Sequence, residues 1–115
     1  MKDLAKECLE IHSNIMPLFK ARQEKGDKIA SLIRAELIKI LGDDYQEINV
    51  YAEFFQECIY FLVMLEEDQL CIFPPKEDKR WHLDVGSRWD GMPMCRDKKM
   101  IKAAQSIVDK LNGNE

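Results

Sequence analysis

Hydrophobic positions along this chain change period twice, and those changes predict its elements. Leu4, Cys8, Ile11, His12 and Ile15 recur at helical spacing, with Lys2, Lys6 and Glu10 mostly on the other side, which predicts an amphipathic helix. Pro17 is expected to end or kink it, because proline removes a backbone donor and pushes the preceding residue out of the helical region. A short continuation from Leu18 to about Glu24 is expected before Gly26-Asp27 breaks the pattern. With Asp27 as N-cap, Ile29, Leu32, Ile33, Leu37, Ile40 and Leu41 then predict a second helix, and Gly42 supplies the left-handed position after it.

From Glu47 the period becomes two. Ile48, Val50, Ala52 and Phe54 alternate with Glu47, Asn49, Tyr51 and Glu53, the pattern of a half-buried strand. Cys58 to Leu65 is continuously apolar and reads as a central strand, although periodicity alone leaves a buried helix from Ala52 onward open. Glu66-Glu67-Asp68-Gln69 makes a polar turn, Leu70 to Phe73 a short strand, and Pro74-Pro75 its stop. After the charged loop Lys76 to Lys79, Trp81, Leu83 and Val85 alternate with Arg80, His82 and Asp84 as a fourth strand. Gly86 to Cys95 reads as a loop. Asp97 then caps a helix carrying Met100, Ile101, Ala103, Ala104, Ile107, Val108 and Leu111, with Gly113 beyond its end.

The expected fold class is therefore α+β: a two-layer sandwich with N-terminal helices and a C-terminal helix on an antiparallel three- to four-stranded meander. The 115 residues, 46% hydrophobic, are enough for one core, and a single domain over 1–115 is expected. Helices on one side cover only one sheet face. Cys58 to Leu65 and Leu70 to Phe73 are apolar toward both, so the second face calls for cover by the Trp89 loop, a partner or a second copy.

Charge adds what periodicity does not show. Residues 1–42 and 76–115 each carry a net charge of +2, whereas residues 43–75 hold no lysine or arginine and eight acids, for −8. These are Asp43, Asp44, Glu47, Glu53, Glu57, Glu66, Glu67 and Asp68, with Tyr45, Tyr51 and Tyr60 among them. The acids read first as a solvated face that guards strand ends against aggregation and second as a surface that docks a basic protein and resists nucleic acid, while the tyrosines fit interface anchors and ordinary strand aromatics equally. Tyr51 and Tyr60 are the candidate anchors. The sequence pI near 5.3 argues against nucleic-acid binding.

No apolar run reaches the roughly 18 to 20 residues that span a bilayer, and the chain opens without the apolar centre of a signal peptide, so a cytoplasmic protein with no membrane contact is expected. Reduced cysteines follow from that setting, with a Cys58–Cys71 bridge across neighbouring strands left open. Cys8 and His12 stand four apart but lack a second ligand pair, which favours a packed histidine over zinc. Arg96, Lys98, Lys99 and Lys102 crowd the start of the last helix, where positive charge opposes the helix dipole; they read as a solvated polar face ahead of a site for an anion, which phosphate, a partner's carboxylate or the chain's own acidic middle would supply. Nucleotide-loop and hydrolase motifs are absent, and no cofactor is expected.

The stretch Ile29–Phe61, reading IASLIRAELIKILGDDYQEINVYAEFFQECIYF, resembles the beginning of bacterial immunity proteins that neutralise polymorphic nuclease toxins. The shared features are a helix of the form "I..LI...I", an acidic turn and a strand like "I.VYAE"; Tyr45 stands where tryptophan is often found. The resemblance implies a non-catalytic domain that binds and blocks a basic toxin. Two other readings stay open: a small enzyme using His82, Asp84 and Cys95, and a homo-oligomeric adaptor joined through the sheet's second face.

Overall fold

The computed structural model describes residues 2–55, 58–76, 80–86 and 95–113. Its elements are the helix α1 (Lys2–Leu41), a single 3-10 turn at Asp43–Tyr45, the strands β1 (Asn49–Phe55), β2 (Cys58–Leu65), β3 (Asp68–Phe73) and β4 (His82–Asp84), and the helix α2 (Lys98–Leu111). The strands pair antiparallel in chain order, β1-β2-β3-β4. The α+β meander expected from the sequence is the observed architecture, with β4 as the fourth strand.

The N-terminal part differs from expectation: one helix of 40 residues replaces two. Pro17 removes a single donor, and the Ser13 carbonyl it frees lies in a stretch where every described residue is exposed, so it is left open to solvent instead of orphaned in a core. Gly26 is not a break either. It is buried where α1 crosses the sheet, and helix continues on both sides of it. Gly42, with φ at +89°, ends α1, and its amide donates to the Ile38 carbonyl at 2.7 Å.

Register divides the sheet into two faces. Val50↔Val63, Ala52↔Phe61 and Phe54↔Ile59 between β1 and β2 continue through Phe61↔Ile72 and Val63↔Leu70 to Ile72↔Leu83 at β4. These side chains face the helices. Against them α1 lays Ala30, Ile33 and Leu37, and α2 lays Met100, Ala103, Ala104, Ile107 and Val108, forming one buried cluster with Ile48 and Cys95. Each large side chain closed off there is worth roughly 1.5 to 3 kcal/mol of transfer free energy.

α1 runs antiparallel to β1. Arg34 donates to the carbonyls of Ile48 (2.8 Å) and Gln46 (2.7 Å), Gln23 to that of Ala52 (3.3 Å), and the Arg22 guanidinium lies 4.4 Å from the centre of the Phe54 ring. At the far side, the Asn112 side chain pairs with both the N–H and the C=O of Trp81, each at 2.9 Å, tying the end of α2 to the chain entering β4. N-terminal to this packed region α1 projects past the paired ends of β1 and β2 at Phe55 and Cys58, and the molecule measures 57 × 32 × 30 Å.

The other sheet face carries Tyr51, Glu53, Tyr60, Leu62, Met64, Cys71, Phe73, His82 and Asp84 by the same alternation. Tyr60, Phe73 and His82 stack across it, with ring centres 5.6 and 4.8 Å apart. Cys71 is buried there opposite Leu62 and Asp84. The expected cover from the Trp89 loop falls on residues 87–94, outside the described residues, as do residues 77–79 of the charged loop.

Candidate functional site

The fold brings six of the eight central acids to one end of the sheet. The start of β1 pairs with the end of β2 (Asn49↔Met64), and Leu65↔Asp68 closes the β2–β3 turn beside it. Asp43, Asp44 and Glu47, on the segment entering β1, therefore share an end with Glu66, Glu67 and Asp68. Glu66 has φ +55°, the positive backbone angle that a two-residue hairpin turn demands at its first position. Of these six carboxylates five are exposed, and Asp68 is half-buried.

Asp68 has a structural task. Its Oδ1 accepts the amides of Arg96 at 2.7 Å and Asp97 at 3.3 Å, while Asp97 caps α2 by accepting from Lys99 and Met100 at 3.0 and 3.1 Å. The chain's own acids thus supply the negative charge that the crowded bases at the start of α2 require. Tyr45 completes the junction by donating its hydroxyl to Asp97 Oδ1 at 3.2 Å, and burial, followed by the Asp97 carboxylate, raises its pKa. Asp97 belongs to this acidic end, although the sequence marks it only as a helix cap.

The end of the molecule holds seven carboxylates, Asp97 included, against Arg96, Lys98, Lys99 and Lys39. Among the described residues the ion pair is Lys110 with Glu36 at 3.9 Å, between the two helices, and none involves these seven acids. Asp43, Asp44, Glu47, Glu66 and Glu67 face solvent, whereas Asp68 and Asp97 are half-buried and hydrogen-bonded within the chain.

Tyr51, Glu53 and Tyr60 form a separate group on the open sheet face. Glu53 lies opposite Tyr60 in register and two residues from Tyr51 on the same side of β1. Tyr51 is 45% exposed, and Tyr60 is half-buried, its hydroxyl raised in pKa by burial and then by Cys71 and Glu53. The candidate surface is accordingly two patches, the acidic end and the tyrosine face, and not one strip. Glu57 lies outside the described residues.

The residues of the enzyme reading do not converge. His82 and Asp84 share the open face, but His82 stacks on Phe73 and Asp84 accepts the Gly86 amide at 2.9 Å. Cys95 sits in the core under the helices, 3% exposed, where burial pushes its thiol pKa up. Cys8 and His12 are both exposed on the projecting part of α1, so His12 is not the packed histidine expected, and among the described residues no three His, Cys, Asp or Glu side chains gather as a metal site. Cys58 cannot bridge to Cys71, whose partner in β2 is Leu62, four residues further along; the Cys58 sulfur instead lies 3.0 Å from Lys76 Nζ. No helix among the described residues is long and apolar enough to cross a membrane.

Comparison with protein-family models, with curated proteins and with solved structures finds no match for this chain.

Proposed function

We propose that this chain is a non-catalytic protein-binding domain that captures a basic partner at the acidic end of its sheet. The observation that supports this is the gathering of Asp43, Asp44, Glu47, Glu66 and Glu67, exposed and outside any ion pair among the described residues, from two segments separate in sequence. An arrangement of that sign accelerates encounter with a basic surface and disfavours nucleic acid. Tyr51 and Tyr60, with Glu53 between them, offer amphipathic contact area on the adjoining sheet face, of the type that anchors interfaces. A toxin nuclease, the target implied by the resemblance of Ile29–Phe61 to immunity proteins, is a partner of this chemistry, and the chain would then act as its inhibitor.

The test is a triple variant, Glu47→Lys, Glu66→Lys and Glu67→Lys, compared with wild type as immobilised bait for native lysate. All three side chains are exposed and accept no hydrogen bond among the described residues, so the variant should melt with the wild type. It should lose a basic protein that wild type retains, with binding weakened roughly tenfold or more and increasingly salt-sensitive in the wild type. Equal capture by the two baits overturns the acidic end as the docking surface.

A further inference from the structure

The two edges of the sheet are finished differently. At β4, only three residues long, the Asn112 side chain takes both the N–H and the C=O of Trp81, and the Cys95 amide donates to the Val85 carbonyl, so outward main chain is occupied on either side of the strand. β1 is seven residues long, pairs with β2 without a bulge, and carries no proline or lysine, the devices that ordinarily blunt an edge. Arg34 and Gln23 reach the carbonyls of Ile48 and Ala52, so by alternation residues 48, 50, 52 and 54 turn their main chain away from β2. Both main-chain groups of Val50 and of Phe54, and the N–H of Ala52, find no hydrogen-bond partner among the described residues.

α1 overhangs this open edge. A groove of about 440 Å³ runs between them, with Gln23, Asp27 and Ser31 on the helix side and Val50 to Glu53 on the strand side. Its charges are the carboxylates of Asp27 and Glu53. The nearest bases on that flank of α1 stand at its ends: Arg34, held by the carbonyls of Gln46 and Ile48, and Lys20, about two turns before Asp27.

We propose that this groove takes an extended peptide segment of about five residues, added to β1 as a fifth strand, with a lysine or arginine at its middle. The main chain of such a segment supplies what Val50, Ala52 and Phe54 lack, and its side chain opposite Ala52 points to the α1 side, where Asp27 stands. A second copy does not fit. The contact of Gly26 with Ala52 sets α1 over β1, and strands pair about 4.8 Å apart while helices need roughly 8 to 10 Å, so joining two β1 edges antiparallel about a two-fold axis drives one α1 into the other. The site lies apart from the acidic end and does not depend on capture there.

The test is a blocked pentapeptide, valine-threonine-lysine-threonine-valine, titrated to about 2 mM into the isotopically labelled full chain and followed by NMR. Without peptide, the amides of Val50, Ala52 and Phe54 should exchange with solvent much faster than those of Tyr51 and Glu53, which bond to β2; with peptide they should shift and become protected. Glutamate in place of the central lysine should weaken binding roughly tenfold, and so should Asp27→Lys, a substitution at an exposed helix position that keeps the fold. Methylation of the peptide's amides should abolish binding. The Glu47→Lys, Glu66→Lys and Glu67→Lys variant should bind the peptide as wild type does, which separates this site from the acidic end. No binding by wild type, equal binding of the methylated peptide, or amide shifts confined to Glu47, Glu66 and Glu67 would each overturn the proposal.

Discussion

Gly26 and Ala52 meet so closely that a β-carbon placed on Gly26 would lie 2.9 Å from Cβ of Ala52, with the Phe54 ring and Ile59 at 3.2 and 3.3 Å. This contact sets how near α1 lies to β1. Alanine is worth about 1 kcal/mol more than glycine in a helix interior, so propensity alone predicts that Gly26→Ala stabilises. The neighbouring atom is a β-carbon fixed to the strand backbone and cannot swing aside, so the overpacking, on the order of 1 to 3 kcal/mol, should win. Gly26→Ala is expected to lower the denaturation midpoint, and Ala52→Gly in the same chain to recover part of the loss. Additive effects of the two substitutions in chemical denaturation would contradict a direct clash.

That glycine also shows where the sequence was readable. The strands, the meander and α2 with its Asp97 cap follow from period and cap chemistry, because each is a short element whose pattern is set by one buried face. Pro17 and Gly26-Asp27 read as breaks because local chemistry disfavours helix there, and the deciding circumstances are not local: solvent around Ser13, and a strand 26 residues downstream that needs a glycine opposite it. The candidate site divides the same way. The acids were visible as a charge imbalance, but their separation into an acidic end and a tyrosine face depends on register, and a slip of one residue would have exchanged Glu53 for Phe54 on the open face.

Asp97 joins the acidic end to α2, and its replacement should be felt in both. Its carboxylate accepts from Lys99 N, Met100 N and the Tyr45 hydroxyl while facing a first turn rich in lysine. Asp97→Ala removes the cap and is expected to cost about 1 to 2 kcal/mol, whereas Asp97→Asn keeps an acceptor and should cost less. The measurement is thermal melting of both variants. Tyrosine absorbance gives a second readout, because without the carboxylate the Tyr45 hydroxyl should titrate at lower pH. An Asp97→Ala protein as stable as wild type would show that Asp68 and solvent can hold the turn without it.

Cys71 makes stability depend on alkaline pH. Although it lies on the sheet face away from the helices it is only 3% exposed, and burial, reinforced by the nearby Asp84 carboxylate, pushes its thiol up to about 11 from the ordinary value near 9. Below pH 9 the folded and unfolded chains both hold this proton, and the group contributes no slope. Between about 9 and 11 the unfolded chain releases it first, so stability falls as pH rises, by at most about 1.4 kcal/mol per unit from this one group. Above 11 both states are ionised and the slope ends. Tyr60, also raised, acts in the same direction at higher pH. Urea denaturation from pH 8 to 11 should therefore give a midpoint that declines more steeply for wild type than for Cys71→Ala. At pH 8 a thiol-specific disulfide reagent should label exposed Cys8 at once and Cys71 only as the fold opens. Equal slopes for the two proteins, or rapid labelling of Cys71 in the native state, would place that thiol in contact with water.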